Sequence, residues 1–66
     1  MKIIKFDARI YPESILNKAI SDYGKLSTII YTKIRQNYVC CFVNCIYDED
    51  ETILEFGNYM IDLMGS

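Results

Sequence analysis

Between Lys2 and Ile10 the chain alternates, with Ile4, Phe6, Ala8 and Ile10 on one side of an extended backbone and Lys5, Asp7 and Arg9 on the other. A period of two predicts a half-buried strand. The period then changes. Tyr11-Pro12-Glu13-Ser14 puts a proline where the first helical residue belongs and a carboxylate in the first turn, where the helix dipole favours negative charge. Ile15, Leu16, Ala19, Ile20 and Tyr23 recur at helical spacing, and Gly24 follows as a natural left-handed cap.

Ser27 to Arg35 and Tyr38 to Tyr47 are rich in β-branched and aromatic residues, and the short link Gln36-Asn37 predicts a hairpin turn between two antiparallel strands. Asp48 stands three residues before Glu51, a capping-box-like spacing, and Ile53, Phe56, Gly57, Met60, Ile61 and Met64 form a second helical stripe. Gly57 within that stripe suggests close approach of helix to sheet, at a propensity cost of ~1 kcal/mol relative to Ala. The order β-α-β-β-α, with a crossover first and a hairpin second, places the most apolar strand, Tyr38 to Tyr47, in the middle. The expected fold is α+β: a three-stranded sheet of order 1-3-2 with two helices on one face, the ferredoxin-like plan lacking its last strand. Residues 1–66 read as one domain, without repeat, linker or low-complexity tract.

A turn at Gln36-Asn37 sets Arg35 opposite Tyr38, Lys33 opposite Cys40 and Tyr31 opposite Phe42. On this register Ile30, Ile34, Val39, Cys41 and Val43 belong under the helices. The open face then carries Ile29, Tyr31, Tyr38, Cys40, Phe42 and Ile46, bordered by Lys5, Arg9, Lys33 and Arg35. Antiparallel sheets usually keep such a face polar, and an apolar patch with a charged rim is a common form of interaction site. The expected partner-binding residues are Lys5, Arg9, Tyr31, Lys33, Arg35, Tyr38 and Phe42, with the free edge of the first strand open to an added strand. The alternative for the edge cations is protection against aggregation.

Composition narrows the function classes. Sixty-six residues, 52% of them apolar, should fold around a single core. No stretch approaches the ~18 uncharged apolar residues of a membrane span, and Met1 to Asp7 meets charge too early for a signal peptide, so a cytoplasmic protein is expected. The net charge of −2 hides an asymmetry. All seven basic residues lie between Lys2 and Arg35, against Asp7, Glu13 and Asp22, whereas six carboxylates and no cation follow Gln36. Such polarity can steer a partner or align two copies of the chain. Asp48 to Glu51 reads as a solvated helix start.

Cys40, Cys41 and Cys45 fall in one predicted strand, Cys41 and Cys45 on a shared face and Cys40 on the other. An odd, clustered count argues for reduced thiols packed as small hydrophobes, and without any His no metal set is completed. No cofactor is expected. There is no nucleophile elbow and no phosphate-binding glycine loop, and Glu55 or Asp62 would need a pocket to act as bases. An enzyme is therefore not expected. Aromatics interleaved with cations on a ferredoxin-like sheet also describe a single-stranded RNA platform, but the acidic total and the missing glycine-and-aromatic RNA motif argue against nucleic acid.

Two stretches carry a resemblance. Phe6-Asp7-Ala8-Arg9-Ile10-Tyr11-Pro12-Glu13-Ser14-Ile15-Leu16-Asn17-Lys18-Ala19 resembles the opening strand, Tyr-led helix start and Lys-Ala helix of the HxsD-like proteins, small companions of radical SAM enzymes in His-Xaa-Ser peptide-maturation clusters. Glu55 to Leu63 is similar to that family's closing helix, with its Asn and its apolar pair before Asp, although here Leu63 stands where the family continues through Tyr and Arg. The resemblance implies a non-catalytic accessory protein whose partner is a radical SAM enzyme, its precursor peptide, or both. The other readings are a self-associating module, including a homodimer, and the RNA platform.

Overall fold

The computed structural model describes residues 1–65, arranged as β1 (Lys2–Asp7), α1 (Glu13–Asp22), β2 (Thr28–Ile34), β3 (Asn37–Val43) and α2 (Glu49–Met64). The sheet order is β1-β3-β2, with β3 antiparallel to both neighbours. The fold is thus the expected α+β arrangement, β-α-β-β-α with the third strand central.

β1 is shorter than the alternation to Ile10 suggested. The Asp7 carboxylate accepts a hydrogen bond from the Arg9 backbone N–H at 2.8 Å, and the Asp7 carbonyl accepts from Ile10 and Tyr11. This turn, of the kind an Asp side chain commonly initiates, lifts the chain off the sheet and leaves Ile10 exposed. Pro12 takes the extended conformation and caps α1 rather than occupying its first turn. Leu16 and Ala19 are buried, flanked by half-buried Ile15, Ile20 and Tyr23, so the predicted stripe faces the core.

Gly24 does not serve as a left-handed cap, since no glycine among the described residues has a positive φ. The last carbonyls of α1 are satisfied instead by tightened turns, the Gly24 N–H donating to Ser21 and the Leu26 and Ser27 N–H groups to Tyr23.

The hairpin turns one residue earlier than expected, at Arg35-Gln36, and Arg35 adopts φ 57°. Pairing becomes Lys33 with Tyr38, Tyr31 with Cys40 and Ile29 with Phe42. A slip of two leaves every side chain on its original face, so the shift alone does not change which residues sit together. β3 stops at Val43 rather than Tyr47 because Asn44 turns into the left-handed region (φ 55°), which Asn tolerates better than most residues. Cys45 therefore lies beyond the strand, its thiol 3.1 Å from the Ser27 hydroxyl.

α2 begins as its sequence predicts, with Asp48 accepting from the Glu51 N–H at 3.0 Å. Its buried face is rotated from the expected stripe. Thr52, Phe56 and Met60 are buried, Ile53, Tyr59 and Leu63 half-buried, and Ile61 and Met64 exposed. The Thr52 hydroxyl donates to the Asp48 carbonyl at 2.8 Å, which lets a polar residue sit on the inner face.

The core is built around Phe56. Its ring stands edge-on to Phe42 (centroids 5.2 Å) and to Tyr23 (5.3 Å) and tilts against Phe6 (5.8 Å). Such edge-to-face pairs are a favoured aromatic geometry. Leu16, Ala19, Met60 and Cys40 fill the space around these rings. Polar ties join the elements: Tyr31 Oη donates to Glu13 (2.8 Å), with Asn17 Oδ1 2.9 Å away, Tyr59 Oη on α2 donates to Asp22 on α1, and Lys2 meets Asp50 at 2.9 Å.

Candidate interaction surface

The register assigns each strand residue to one of the two faces. Ile4 pairs with Cys40 and Phe6 with Tyr38, while across β3 Ile29 pairs with Phe42 and Tyr31 with Cys40. These side chains lie under the helices. The opposite face is built in rows across β1, β3 and β2: Ile3, Cys41 and Ile30; then Lys5, Val39 and Thr32; then Asp7, Asn37 and Ile34; with Val43 and Thr28 beyond the first row.

The predicted faces of β2 and β3 are therefore interchanged. Phe42 (0% exposed) and Tyr38 (4%) are core residues, and Tyr31 is half-buried with its hydroxyl engaged by α1. Ile29 and Cys40 are likewise buried, and Ile46 is exposed but outside the strand. Of the seven expected partner-binding residues, only Lys5 stands on the open face. Arg9 is in the turn after β1, its guanidinium 2.7 Å from Asp7, Arg35 is in the hairpin turn, and Lys33 is exposed at the end of β2 on the covered side.

The reason lies in side-chain size. Both phases of β3 are apolar, Tyr38, Cys40 and Phe42 on one side and Val39, Cys41 and Val43 on the other, so periodicity cannot choose between them. Aromatic rings bury far more surface than Val or Cys, and the helices cover the phase that has more to hide. A usable signal was present in β1. Its inner phase, Ile4 and Phe6, is unambiguous, and antiparallel pairing hands that face to Tyr38 and Cys40.

What remains open is aliphatic. Ile3 (61% exposed), Ile30 (61%) and Ile34 (54%) surround half-buried Val39, Cys41 and Val43. Exposed Lys5 and Thr32 cross the patch as one polar row. Charge is sparse there, since Asp7 is committed to Arg9. That guanidinium, together with the Arg9 backbone N–H, holds the Asp7 carboxyl well below its ordinary value, at about 2. Burial pushes the Cys40 thiol the other way, up to about 11, whereas Cys41 sits at the centre of the open face.

Elsewhere, a shallow hollow between Tyr47, Glu51, Thr52 and Glu55 brings two exposed carboxylates together, with the Thr52 hydroxyl already used by α2. It lacks a cation or nucleophile with which those acids could work. No described helix is long and apolar enough to cross a membrane. Comparison with protein-family models, curated proteins and solved structures finds no match to the chain.

Proposed function

We propose that this chain is a non-catalytic protein-interaction domain whose contact surface is the open face of its sheet. The observation that carries the reading is the contiguous patch of Ile3, Ile30, Ile34, Val39, Cys41 and Val43, apolar and solvent-facing in a domain whose helices cover only one side. An antiparallel sheet that meets water normally alternates apolar-in and polar-out, whereas the water-facing side of this one carries six apolar side chains beside Lys5, Asp7, Thr28, Thr32 and Asn37. Patches of that kind mark interaction sites.

In its narrower form the proposal follows the HxsD-like resemblance: an accessory protein that binds a radical SAM maturase, its precursor peptide, or both. The two resembling stretches cover the end of β1, its turn and α1, and the second half of α2. Both belong to the helical layer and its connections, so the resemblance speaks for a shared scaffold, and β2 and β3, which carry most of the open face, lie outside it. The RNA-platform reading loses its support, because base stacking needs exposed aromatic rings and Tyr38 and Phe42 are inside.

Co-expression with the maturase and precursor peptide of a His-Xaa-Ser cluster tests the proposal. The tagged chain should co-purify one of them, Ile30→Lys should abolish recovery by placing a charge in the patch, and Lys18→Ala on α1 should leave it intact. Recovery unaffected by Ile30→Lys would remove the open face as the contact.

A further inference from the structure

We propose that the free edge of β1 takes an extended segment of another protein as a fourth, antiparallel strand, aliphatic on the side that faces α2 and acidic opposite Lys5. This contact is separate from the open face and stands or falls without it.

Hydrogen-bond alternation shows which backbone groups the edge offers. The Ala8 N–H donates to the Gln36 carbonyl at 2.7 Å, so along the antiparallel ladder the bonded partners are Phe6 with Tyr38, Ile4 with Cys40 and Lys2 with Phe42. Ile3, Lys5 and Asp7 therefore turn their backbone groups away from β3. The Asp7 carbonyl agrees, since it accepts from Ile10 and Tyr11 on the outer side. What a partner finds is the N–H and C=O of Ile3 and of Lys5 and the N–H of Asp7, a row at the two-residue spacing with which a strand pairs.

β2 has a free edge as well, so the ladder alone does not choose between them. The helices do. α2 meets β1 through Asp50, 2.9 Å from Lys2, and through Gly57, where an added methyl would lie 3.7 Å from Phe6 Cε1. At ~100° per residue, the flank of α2 that holds Asp50 and Gly57 also carries Ile53, Leu54, Ile61 and Met64. Tyr59, whose hydroxyl reaches Asp22 on α1, marks the opposite flank. Ile53 is half-buried and the other three are exposed, so the β1 side of α2 keeps an apolar shelf in water. Over β2, by contrast, α1 presents exposed Glu13 and Asn17 to the Tyr31 hydroxyl. A strand laid beside β1 tucks one phase of its side chains under aliphatic groups; a strand laid beside β2 meets a carboxylate and an amide.

The other phase of the added strand is selected by charge. Lys5 is exposed and forms no salt bridge among the described residues, whereas Lys2 is held by Asp50 and Arg9 by Asp7. A residue in a bonded antiparallel pair stands ~5.5 Å from its partner, Cα to Cα, so a carboxylate opposite Lys5 gains an ion pair and a cation there is repelled. A second copy supplies no such match. Paired with itself, β1 sets Lys5 against Lys5, against Ile3, or against an Asp7 already bound to Arg9.

Hydrogen exchange and fluorescence anisotropy on the full chain test the assignment. The probe is a labelled, end-blocked peptide of about seven residues, the length of an ordinary strand, in which Val alternates with Thr around a central Glu. With the peptide bound, the N–H groups of Ile3, Lys5 and Asp7 should exchange about tenfold more slowly or less, while those of Ile29, Tyr31 and Lys33 on the β2 edge stay unchanged. Replacing the central Glu by Lys should weaken binding about fivefold or more, and Lys5→Glu should reverse that preference. Lys5→Pro removes an outward N–H without touching the ladder to β3, so it should keep native far-UV circular dichroism and lose about tenfold or more in affinity. Ile61→Ser, on the α2 shelf, should weaken binding about threefold.

No binding of the Glu peptide, equal binding of the Glu and Lys peptides, or protection that falls on β2 overturns the inference. So does protection of Ile3 and Lys5 in the free chain together with a mass above 7.7 kDa, which gives the edge to a second copy. Ile30→Lys, on the far strand, should leave peptide binding unchanged. A chain that binds no peptide yet loses maturase recovery in Ile30→Lys keeps the open face and loses the edge; the converse keeps only the edge.

Discussion

One face of the sheet presents Ile4, Phe6, Ile29, Tyr31, Tyr38, Cys40 and Phe42; the other presents Ile3, Ile30, Ile34, Val39, Cys41 and Val43. Both hold apolar clusters, the second interrupted by Lys5, Asp7, Thr28, Thr32 and Asn37, yet the first is packed under two helices and the second meets solvent. The difference is shape and volume. On the covered face Phe42 stands edge-on to Phe56, which in turn meets Tyr23 edge-on, and the hydroxyls of Tyr31 and of Tyr59 on α2 reach acceptors on α1. Hydrophobicity alone does not say which side of a sheet is the core; the side that forms the denser three-dimensional packing takes the helices.

The largest effect that separates the faces is truncation at matched depth in the sheet. Phe42→Ala should cost ~3–5 kcal/mol, enough to leave so small a domain largely unfolded, because it empties the site opposite Phe56. Ile30→Lys should change the stability of the isolated chain by no more than ~0.5 kcal/mol. Urea unfolding followed by circular dichroism reads both, and comparable losses at the two positions would mean that the faces are not distinct.

A smaller effect probes how tightly the covered side is filled. A methyl at Gly57 would sit 3.7 Å from Phe6 Cε1, an ordinary contact, so the close approach suggested by that glycine is absent. Gly57→Ala should then stabilise the protein by ~0.5–1 kcal/mol through helix propensity, seen as a raised midpoint in thermal unfolding. A lowered midpoint would show that α2 is held closer to β1 than the contact allows.

The smallest effect sits on the open side. The carboxyl of Asp7 is held at about 2 by the hydrogen bonds from Arg9, below its ordinary 3.8. A depressed carboxyl contributes stability that is complete above its unfolded value and lost as pH falls through the folded one, so this contribution should fade between about pH 4 and pH 2. Because the pair is exposed, the change should be slight, and it is best followed directly by NMR titration of the side-chain carboxyl. Arg9→Ala should raise the midpoint only part of the way toward 3.8, because the backbone N–H at position 9 still donates to the carboxylate. An unchanged midpoint would transfer the cause to another group.

Much of the scaffold was legible from local pattern. Period two in β1, the Pro-Glu start of α1, the Asp48 cap of α2 and the apolar run of β3 each depend on near neighbours, so element order, sheet order and the positions of both helices follow from the residues themselves. Ends were less legible: Asp7, Arg35 and Asn44 each stop or turn a strand through a side-chain bond or a left-handed backbone that propensity does not announce. The candidate surface was legible as a kind of surface and misplaced as a set of residues. In β3 the two phases, Tyr38-Cys40-Phe42 and Val39-Cys41-Val43, are both apolar, and no local rule ranks them. Tertiary structure decides, because only when β1 pairs with β3 and α2 brings Phe56 down onto Phe6 and Phe42 does one phase gain the larger buried area. Local pattern sets one sheet with a helix-covered face and a second face left open; which residues fell to each was decided by packing, a property of surfaces that meet only in the folded chain.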